Sequence, residues 1–169
     1  MSQAACFRYS RLSKGDEFGE PTLPNNPDQG RKVTSVLIRD FELRDINEIV
    51  GILKLNNQYG FPQVDGPDAM KRVKACSAAV FLVCEMDDRV IGVVRGNYDG
   101  SRAIIHQLSV HPAYRRRGIG AALVREIVER FRQMGAPTVS ATVMEESLPF
   151  WQETGFRKTK AFLVGNWQT

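Results

Sequence analysis

The sequence is poor in cysteine and has no long hydrophobic run. Its three cysteines, Cys6, Cys76 and Cys84, are an odd number at wide spacing without a C-x-x-C pair. This argues against a disulfide framework and a zinc site, so we expect no metal centre. No apolar stretch approaches the roughly 18 residues of a membrane span. Residues 1–9 lack the apolar core of a secretory signal, so we expect a cytoplasmic protein without a membrane partner.

Charge of one sign is not in large excess either. The 169 residues include 23 Lys and Arg against 19 Asp and Glu, for a net charge of +4. With 43% apolar and 25% charged residues, the composition is typical of one globular domain and excludes collagen-like or wholly disordered chains. The small positive excess fits an anionic ligand but does not by itself indicate a nucleic-acid partner.

Residues 1–35 differ from the rest of the chain. They contain a turn-rich stretch from Asn25 to Gly30, two helix-breaking prolines and no apolar periodicity. We predict an irregular N-terminal extension over 1–35 and one domain over 36–169. The sequence leaves open whether the extension is a mobile tail or docks on the domain or on a second subunit, as in a homodimer.

Periodicity and turn residues over 36–169 predict the order β-α-α-β-β-β-α-β-α-β. A helix from about 46 to 56 is expected to begin at an Asp45 cap, with Glu48 as its capping-box partner. Asp87-Asp88 predicts a hairpin turn, and Gly135 should stop a long helix that begins near Ile119. The other predicted elements are strands Val36–Phe41, Ala103–Val110, Val139–Val143 and Phe156–Val164 and helices Asp68–Cys76 and Ser147–Glu153. The fold class is therefore α/β (α+β) with a mixed sheet.

The most informative stretch joins a strand ending at Val110 to the helix near Ile119. Three arginines (Arg115–Arg117) and two glycines, Gly118 and Gly120, occupy this junction. The first amides of a helix have no intrahelical partner, and glycines let an anion approach them, so the junction predicts a cradle for a diphosphate. The alternative is a solvated basic loop. The P-loop pattern and the third glycine of G-x-G-x-x-G are both missing, which excludes those two phosphate motifs.

Val110-x-Pro112-x-x-Arg115-x-x-Gly118-x-Gly120 resembles the acetyl-CoA signature of the GNAT superfamily of N-acetyltransferases. The segment from Phe150 to Phe156 resembles that family's second motif, an aromatic pair followed by Gly-Phe. The resemblance covers residues 36 to about 166 in element order. It implies a mostly antiparallel central sheet that splays at its fourth and fifth strands, flanked by about four helices.

The resemblance also implies an activity, which is transfer of an acetyl group from the co-substrate acetyl-CoA to a primary amine by direct attack. The acceptor amine would belong to a small molecule or a protein. The Val110 amide would stabilise the oxyanion. The residues expected to bind the cofactor are Leu108, Ser109, Val110, Arg115, Arg116, Arg117, Gly118, Ile119, Gly120 and Ala121.

An amine acceptor must lose a proton, and His106 is the best candidate for the base. Strand alternation predicts that its side chain lies on the same face of the sheet as those of Leu108 and Val110. The alternative is a structural histidine. Glu85 and Asp99 are weaker candidates, and His111 is expected to be structural.

Two departures from the family pattern favour a second hypothesis. Trp151 replaces the family's usual proton-donating tyrosine, and Met144 falls near a position where many members have asparagine. A non-catalytic CoA-binding regulatory module therefore remains an alternative, and nucleic-acid binding through the arginines ranks last. The acids Asp65, Asp68 and Asp99 hint at a cationic acceptor.

Overall fold

The computed structural model describes residues 36–160, so the predicted extension over 1–35 lies outside the described residues. Apart from one additional short helix and the predicted last strand, the strands and helices follow the predicted order, and the α/β fold class is confirmed. The elements are β1 Val36–Asp40, α1 Ile46–Leu55, α2 Pro62–Asp65, α3 Pro67–Ala75, β2 Ala79–Met86, β3 Arg89–Tyr98, β4 Ala103–Val110, α4 Ile119–Gln133, β5 Val139–Ala141 and α5 Leu148–Glu153. Between residues 36 and 160, no helix is both long and apolar enough to cross a membrane.

The five strands form one sheet in the order β1-β2-β3-β4-β5. All neighbours are antiparallel except β4 and β5, which run parallel. The predicted hairpin is confirmed, since Asp87 and Asp88 connect β2 to β3 with φ angles of 50° and 60°. Two positive φ angles match the right-handed strand twist, as in a type I′ turn.

Apolar side chains divide into one core on each face of the sheet. Helix α4 covers the first face through residues at three- and four-residue steps, namely Ile119, Leu123, Val124, Ile127 and Phe131. Helices α1 and α3 cover the second face, where the Phe41 and Phe81 rings stack with centroids 4.2 Å apart. Residues on β3 alternate between the faces, so Val94 joins the α4 core and Val93 the α1 core.

Asp45 is the N-cap residue of α1 as predicted, but the predicted capping box with Glu48 is wrong. Asp45 already has helical backbone angles (φ −79°, ψ −12°), because it ends a short 3-10 turn over Leu43–Asp45. Its carboxylate accepts from the Glu42 amide at 2.8 Å, so the reciprocal capping pair is Glu42 with Asp45. Glu48 instead accepts a hydrogen bond from the Val90 amide at 2.9 Å.

Two further differences concern the loops and the chain's end. The segment between the two predicted helices, residues 56–66, contains the additional single-turn helix α2. Residues 156–160 form no strand, because Gly155 (φ 93°) turns the chain back so that the Phe156 amide bonds to Trp151 O. The rest of the predicted last strand lies outside the described residues.

Candidate active site

The second half of β4 has no β5 residue beside it. The two strands pair only where Ala103–Ile105 faces Val139–Ala141, followed by a bond of 3.0 Å from Thr142 N to Ile105 O. Beyond that bond β5 ends, while β4 continues for five residues to Val110. This confirms the predicted splay and leaves a gap along the edge of β4.

A β-bulge at His106 decides which backbone groups face the gap. The register passes from Arg95–Gln107 to Gly96–Ile105, so His106 is an extra residue in β4. Beyond the bulge the His111 amide donates to Ile91 O at 2.8 Å, so alternation directs the backbone groups of Leu108 and Val110 away from β3. The gap therefore receives two amides, from Val110 and from Leu108.

Because of this bulge, the prediction that His106 lies on the same face of the sheet as Leu108 and Val110 is wrong. Leu108 and Val110 pack against the α4 core, whereas His106 Nε2 lies 2.5 Å from the Oδ1 atom of Asn97 on the α1 face. His106 and Gln107 thus share one face, because the extra residue interrupts the two-residue repeat. The histidine side chain remains exposed beside the gap.

The pKa of His106 is lowered, first by partial burial of the ring and second by the nearby positive charge of Arg95. A lowered pKa keeps the imidazole neutral at pH 7, as a base requires. Asn97 Oδ1 can only accept a hydrogen bond, so Nε2 carries the proton and Nδ1 holds the free lone pair.

The basic junction folds as a tight turn before α4. Arg116 and Gly118 have φ angles of 62° and 77°, and the first α4 bond runs from Ala122 N to Gly118 O. The amides of Ile119, Gly120 and Ala121 therefore precede the helical ladder. The Arg117 guanidinium lies over the Tyr114 ring, 5.4 Å from its centroid. The first turn of α4 contains no acid, so its positive dipole end is uncompensated.

The two glycines of the motif have different roles. A Cβ on Gly118 would meet no atom within 4 Å, so its missing side chain leaves open space in front of the turn. A Cβ on Gly120 would lie 3.2 Å from the Phe150 ring and 3.8 Å from Val110 Cγ2. Gly120 is thus required for packing α4 against α5, and Gly118 is the position where an anion can approach.

A hydrogen-bond network joins the end of α1 to β4 and to the basic junction. Asn56 Nδ2 donates to Ser109 Oγ at 2.6 Å and to Val110 O at 3.0 Å. Arg115 Nη2 donates to Asn56 Oδ1, and Arg115 Nε reaches Val110 O at 3.4 Å. Gln58 Nε2 donates to Leu108 O at 3.3 Å. The carbonyls on the gap are therefore held by side chains, and Arg115 is turned towards Asn56.

A buried ion pair anchors α2 on the sheet beside His106. Arg95 Nη2 contacts Asp65 Oδ1 at 2.7 Å, with side chains only 10% and 14% exposed, and the guanidinium also donates to Val64 O. Gln107 Nε2 donates to the same Asp65 oxygen at 3.3 Å. Gln107 Oε1 is buried and has no hydrogen-bond partner among the described residues.

The weaker candidates have structural partners. Glu85 bonds to Arg39, Asp99 accepts from the Ser101 and Arg102 amides, and His111 accepts from the Ala113 amide at 3.2 Å. Trp151 is 5% exposed and makes edge contacts with the Phe150 and Phe156 rings. Met144, in contrast, is 68% exposed after β5.

Sequence reasoning missed four polar residues of this site: Asn56, Arg95, Asn97 and Gln107. One signal was present, since Arg95 directly follows the apolar run from Val90 to Val94 in the same strand. A second was the polar pair His106-Gln107, because adjacent polar residues in a half-buried strand indicate a bulge.

Comparison with known proteins agrees with this geometry. The family model for the acetyltransferase (GNAT) family matches residues 46–156. A transcriptional regulator from Bacillus halodurans C-125 has a similar structure, with 24% identity, a TM-score of 0.69 and coverage of 78% of this chain and 99% of that one. The chain belongs to the acetyltransferase (GNAT) family, so the expectation of an acetyltransferase enzyme is confirmed.

Two other solved structures share the fold at lower identity. The PaiA N-acetyltransferase from Thermoplasma acidophilum, in complex with coenzyme A, is 16% identical with a TM-score of 0.68, over 76% of this chain and 93% of that one. An aminoglycoside 6′-N-acetyltransferase from Acinetobacter haemolyticus is also 16% identical, with a TM-score of 0.64 over 78% of this chain and 98% of that one. At these identities the likeness shows the fold.

Proposed function

We propose that this chain transfers an acetyl group from acetyl-CoA to a primary amine by direct attack. The observation that carries the proposal is the gap beside β4, where two uncovered amides lie next to a helix N-terminus with an open glycine turn. This arrangement fits an anionic cofactor with an extended arm, because it offers amide donors to a diphosphate and a free strand edge to amide groups. The free cysteines Cys76 and Cys84 accord with the expected cytoplasmic location.

Each part of the site has a role in this proposal. The amides from Arg116 to Ala121 hold the diphosphate, and the edge of β4 from Leu108 to Val110 aligns the extended arm. Bound acetyl-CoA supplies a thioester whose carbonyl carbon is open to attack by the amine. The Val110 and Leu108 amides are the donors available for the negative charge that develops on the carbonyl oxygen.

Proton transfer is assigned to His106, which accepts the amine's proton at Nδ1. The new bond joins the amine nitrogen to the carbonyl carbon, and the carbon–sulfur bond breaks. Trp151 is buried in the core and its indole carries no comparably acidic proton, so the departing thiolate takes its proton from water.

The cradle can be tested with two glycines of matched geometry. Gly118 and Gly100 both have left-handed φ angles, 77° and 92°, and neither would bring a Cβ within 4 Å of another atom. Replacement by alanine therefore strains both positions equally, but only Gly118→Ala fills the cradle. We expect acetyl-CoA to raise the melting temperature of the wild type and of Gly100→Ala, and to raise that of Gly118→Ala far less. An equal shift in both variants would mean that the cradle lies elsewhere.

Turnover separates the proposal from the non-catalytic alternative, which the buried Trp151 favours. Free thiol is measured with acetyl-CoA and a panel of glucosamine 6-phosphate, sisomicin, phenethylamine and a peptide with a free N-terminus. Thiol release that depends on one of these amines supports the enzyme. A normal thermal shift without release from any amine would favour a CoA-binding regulatory module.

A further inference from the structure

Among the described residues, the face that would receive the acceptor has no free carboxylate, whereas three cations reach its edge. Arg115 donates to Asn56, Arg72 donates to Gln63 O, and Lys54 lies over the Tyr59 ring.

This face is formed by the segment from residue 56 to 66, hereafter the acceptor segment, lying over Arg95, Asn97, His106 and Gln107 of the sheet. The acceptor segment contains one acid, Asp65, and no Lys or Arg. On the sheet below it, Arg95 carries a fixed charge and pairs with Asp65 at 2.7 Å.

The acids that hinted at a cationic acceptor are therefore engaged by other groups. Asp65 is bound by Arg95 and Gln107, and Asp68 pairs with Lys71 at 3.0 Å. Asp99 accepts from two amides of its own turn, each at 2.8 Å. A second ammonium group on the acceptor would meet no free carboxylate here and would lie near the Arg95 guanidinium, so its desolvation would be uncompensated.

One buried polar atom on this face still needs a partner. Gln107 Oε1 accepts no hydrogen bond among the described residues, although it is shielded from solvent. Its orientation is fixed, because exchanging the two amide atoms would place the oxygen against the Asp65 carboxylate. A buried acceptor without a donor is costly, so a donor brought by a ligand would be strongly favoured.

We infer that the acceptor carries its amine on a body without a second ammonium group, with a hydroxyl or amide N–H donor that binds Gln107 Oε1. The inference rests on the proposed function and names the substrate class of the same site. Gln107 acts as a positioning residue, because it holds the body of the acceptor while His106 contacts the amine. Since Oε1 is shielded, the surrounding side chains shift to admit the donor, which is then buried with it.

Three amines of equal size test this substrate class. Butylamine, 3-amino-1-propanol and 1,3-diaminopropane differ only in a terminal methyl, hydroxyl or ammonium group, and each is assayed together with homologues one and two carbons longer. For at least one chain length, we expect the kcat/KM of the amino alcohol to exceed that of the alkylamine and that of the diamine by about tenfold. This is the effect expected of one good hydrogen bond to a buried group. A preference for the diamine, or equal use of all three, would overturn the inference.

Gln107→Met supplies the matched variant, since methionine keeps the shape and removes the oxygen. It should abolish the preference for the amino alcohol over the alkylamine, leave the KM for acetyl-CoA unchanged, and leave the melting temperature equal or higher. Gln133→Met, on the exposed face of α4, should change none of these values. A lower melting temperature with an equal loss for all amines would show that Gln107 is only structural.

The test also distinguishes this inference from the proposed function. Thiol release that favours the diamine contradicts the substrate class alone. A normal thermal shift with acetyl-CoA and no release from any amine, including the panel above, contradicts both.

Discussion

The α1 face of the sheet carries two buried arginine clusters that look alike but differ in one respect. The Arg39 cluster joins Arg39 of β1 to Asp45 and Glu85, and the Arg95 cluster joins Arg95 of β3 to Asp65 and Gln107. In both, a strand arginine pairs with an acid from the chain beyond the sheet at 2.7 Å. Each therefore anchors a connecting segment on the strands.

They differ in how completely their polar atoms are paired. Arg39 binds both Asp45 oxygens, at 2.7 and 2.8 Å, and reaches Glu85 through two nitrogens, at 2.5 and 3.0 Å. The Arg95 cluster leaves Gln107 Oε1 without a donor. A network with every group paired fixes the fold, whereas one unpaired buried acceptor marks a place that a ligand completes.

The largest expected effect is a loss of stability when the Arg39 cluster is disrupted. Arg39→Met leaves the carboxylate of Asp45, only 3% exposed, without its partner, and should lower the free energy of unfolding by about 3 kcal/mol. Denaturant unfolding measures the loss. Lys71→Met is the control, because its pair with Asp68 lies outside the cluster, is 55% and 84% exposed, and should contribute little to stability. Equal losses in the two variants would contradict the distinction between the pairs.

This cluster also predicts an acid dependence of stability. Burial opposes the charge of Asp45, but hydrogen bonds from Arg39 and the Glu42 amide prevail and hold its pKa below the usual value. A lowered pKa stabilises the fold above the unfolded value of about 3.9 and loses that effect as pH falls through the lower folded value. Arg39→Met should therefore flatten the decline in stability on acidification.

The second largest expected effect is a loss of turnover that leaves the fold intact. His106→Ala should lower kcat by about 100-fold while changing acetyl-CoA affinity little, since the ring hydrogen-bonds to Asn97 on the α1 face of the sheet. Because its pKa is lowered, the acid limb of the wild-type rate profile should lie below the ordinary imidazole value of about 6.5. His111→Ala should keep that acid limb. An unchanged rate profile in His106→Ala would return His106 to a structural role.

Sequence patterns predicted the elements of this site better than its contacts. The junction from Val110 to Ala121 follows from local chemistry, because arginines, glycines and a helix start are adjacent in the chain. The face of His106 could not be predicted by alternation, since one extra residue in β4 reverses parity. The partners Asp65 and Asn56 lie 30 and 53 residues from Arg95 and Ser109, and only the fold brings them together.

A smaller effect is expected where the acceptor segment meets the cofactor site. Asn56→Ala removes the bonds to Ser109, Val110 and Arg115, so the strand edge and the basic junction lose a shared support. We expect the KM for acetyl-CoA to rise about tenfold, about 1.4 kcal/mol, with a smaller change in kcat. Asn56→Asp keeps the acceptor for Arg115 and should be intermediate. A lower melting temperature with unchanged KM would limit Asn56 to the fold.

The smallest effect concerns Asn97, which directs the lone pair of the proposed base. Its Oδ1 atom holds the proton on His106 Nε2, and without it the proton divides between the two ring nitrogens. Asn97→Ala should therefore lower kcat only a few-fold, by about 1 kcal/mol, without changing acetyl-CoA binding.

The Asn97→Asp variant tests whether Asn97 orients the proton of the His106 ring or only packs against it. A carboxylate at the same place still accepts from Nε2, so the plateau rate should recover relative to Asn97→Ala. Its negative charge favours the imidazolium and raises the pKa of His106, so the acid limb should move to higher pH than in the wild type. If His106 were not the base, both variants would keep the wild-type acid limb, and activity would fall only as folded protein is lost. The direction of the shift in Asn97→Asp therefore tests the assignment of His106 and of its Nδ1 lone pair together.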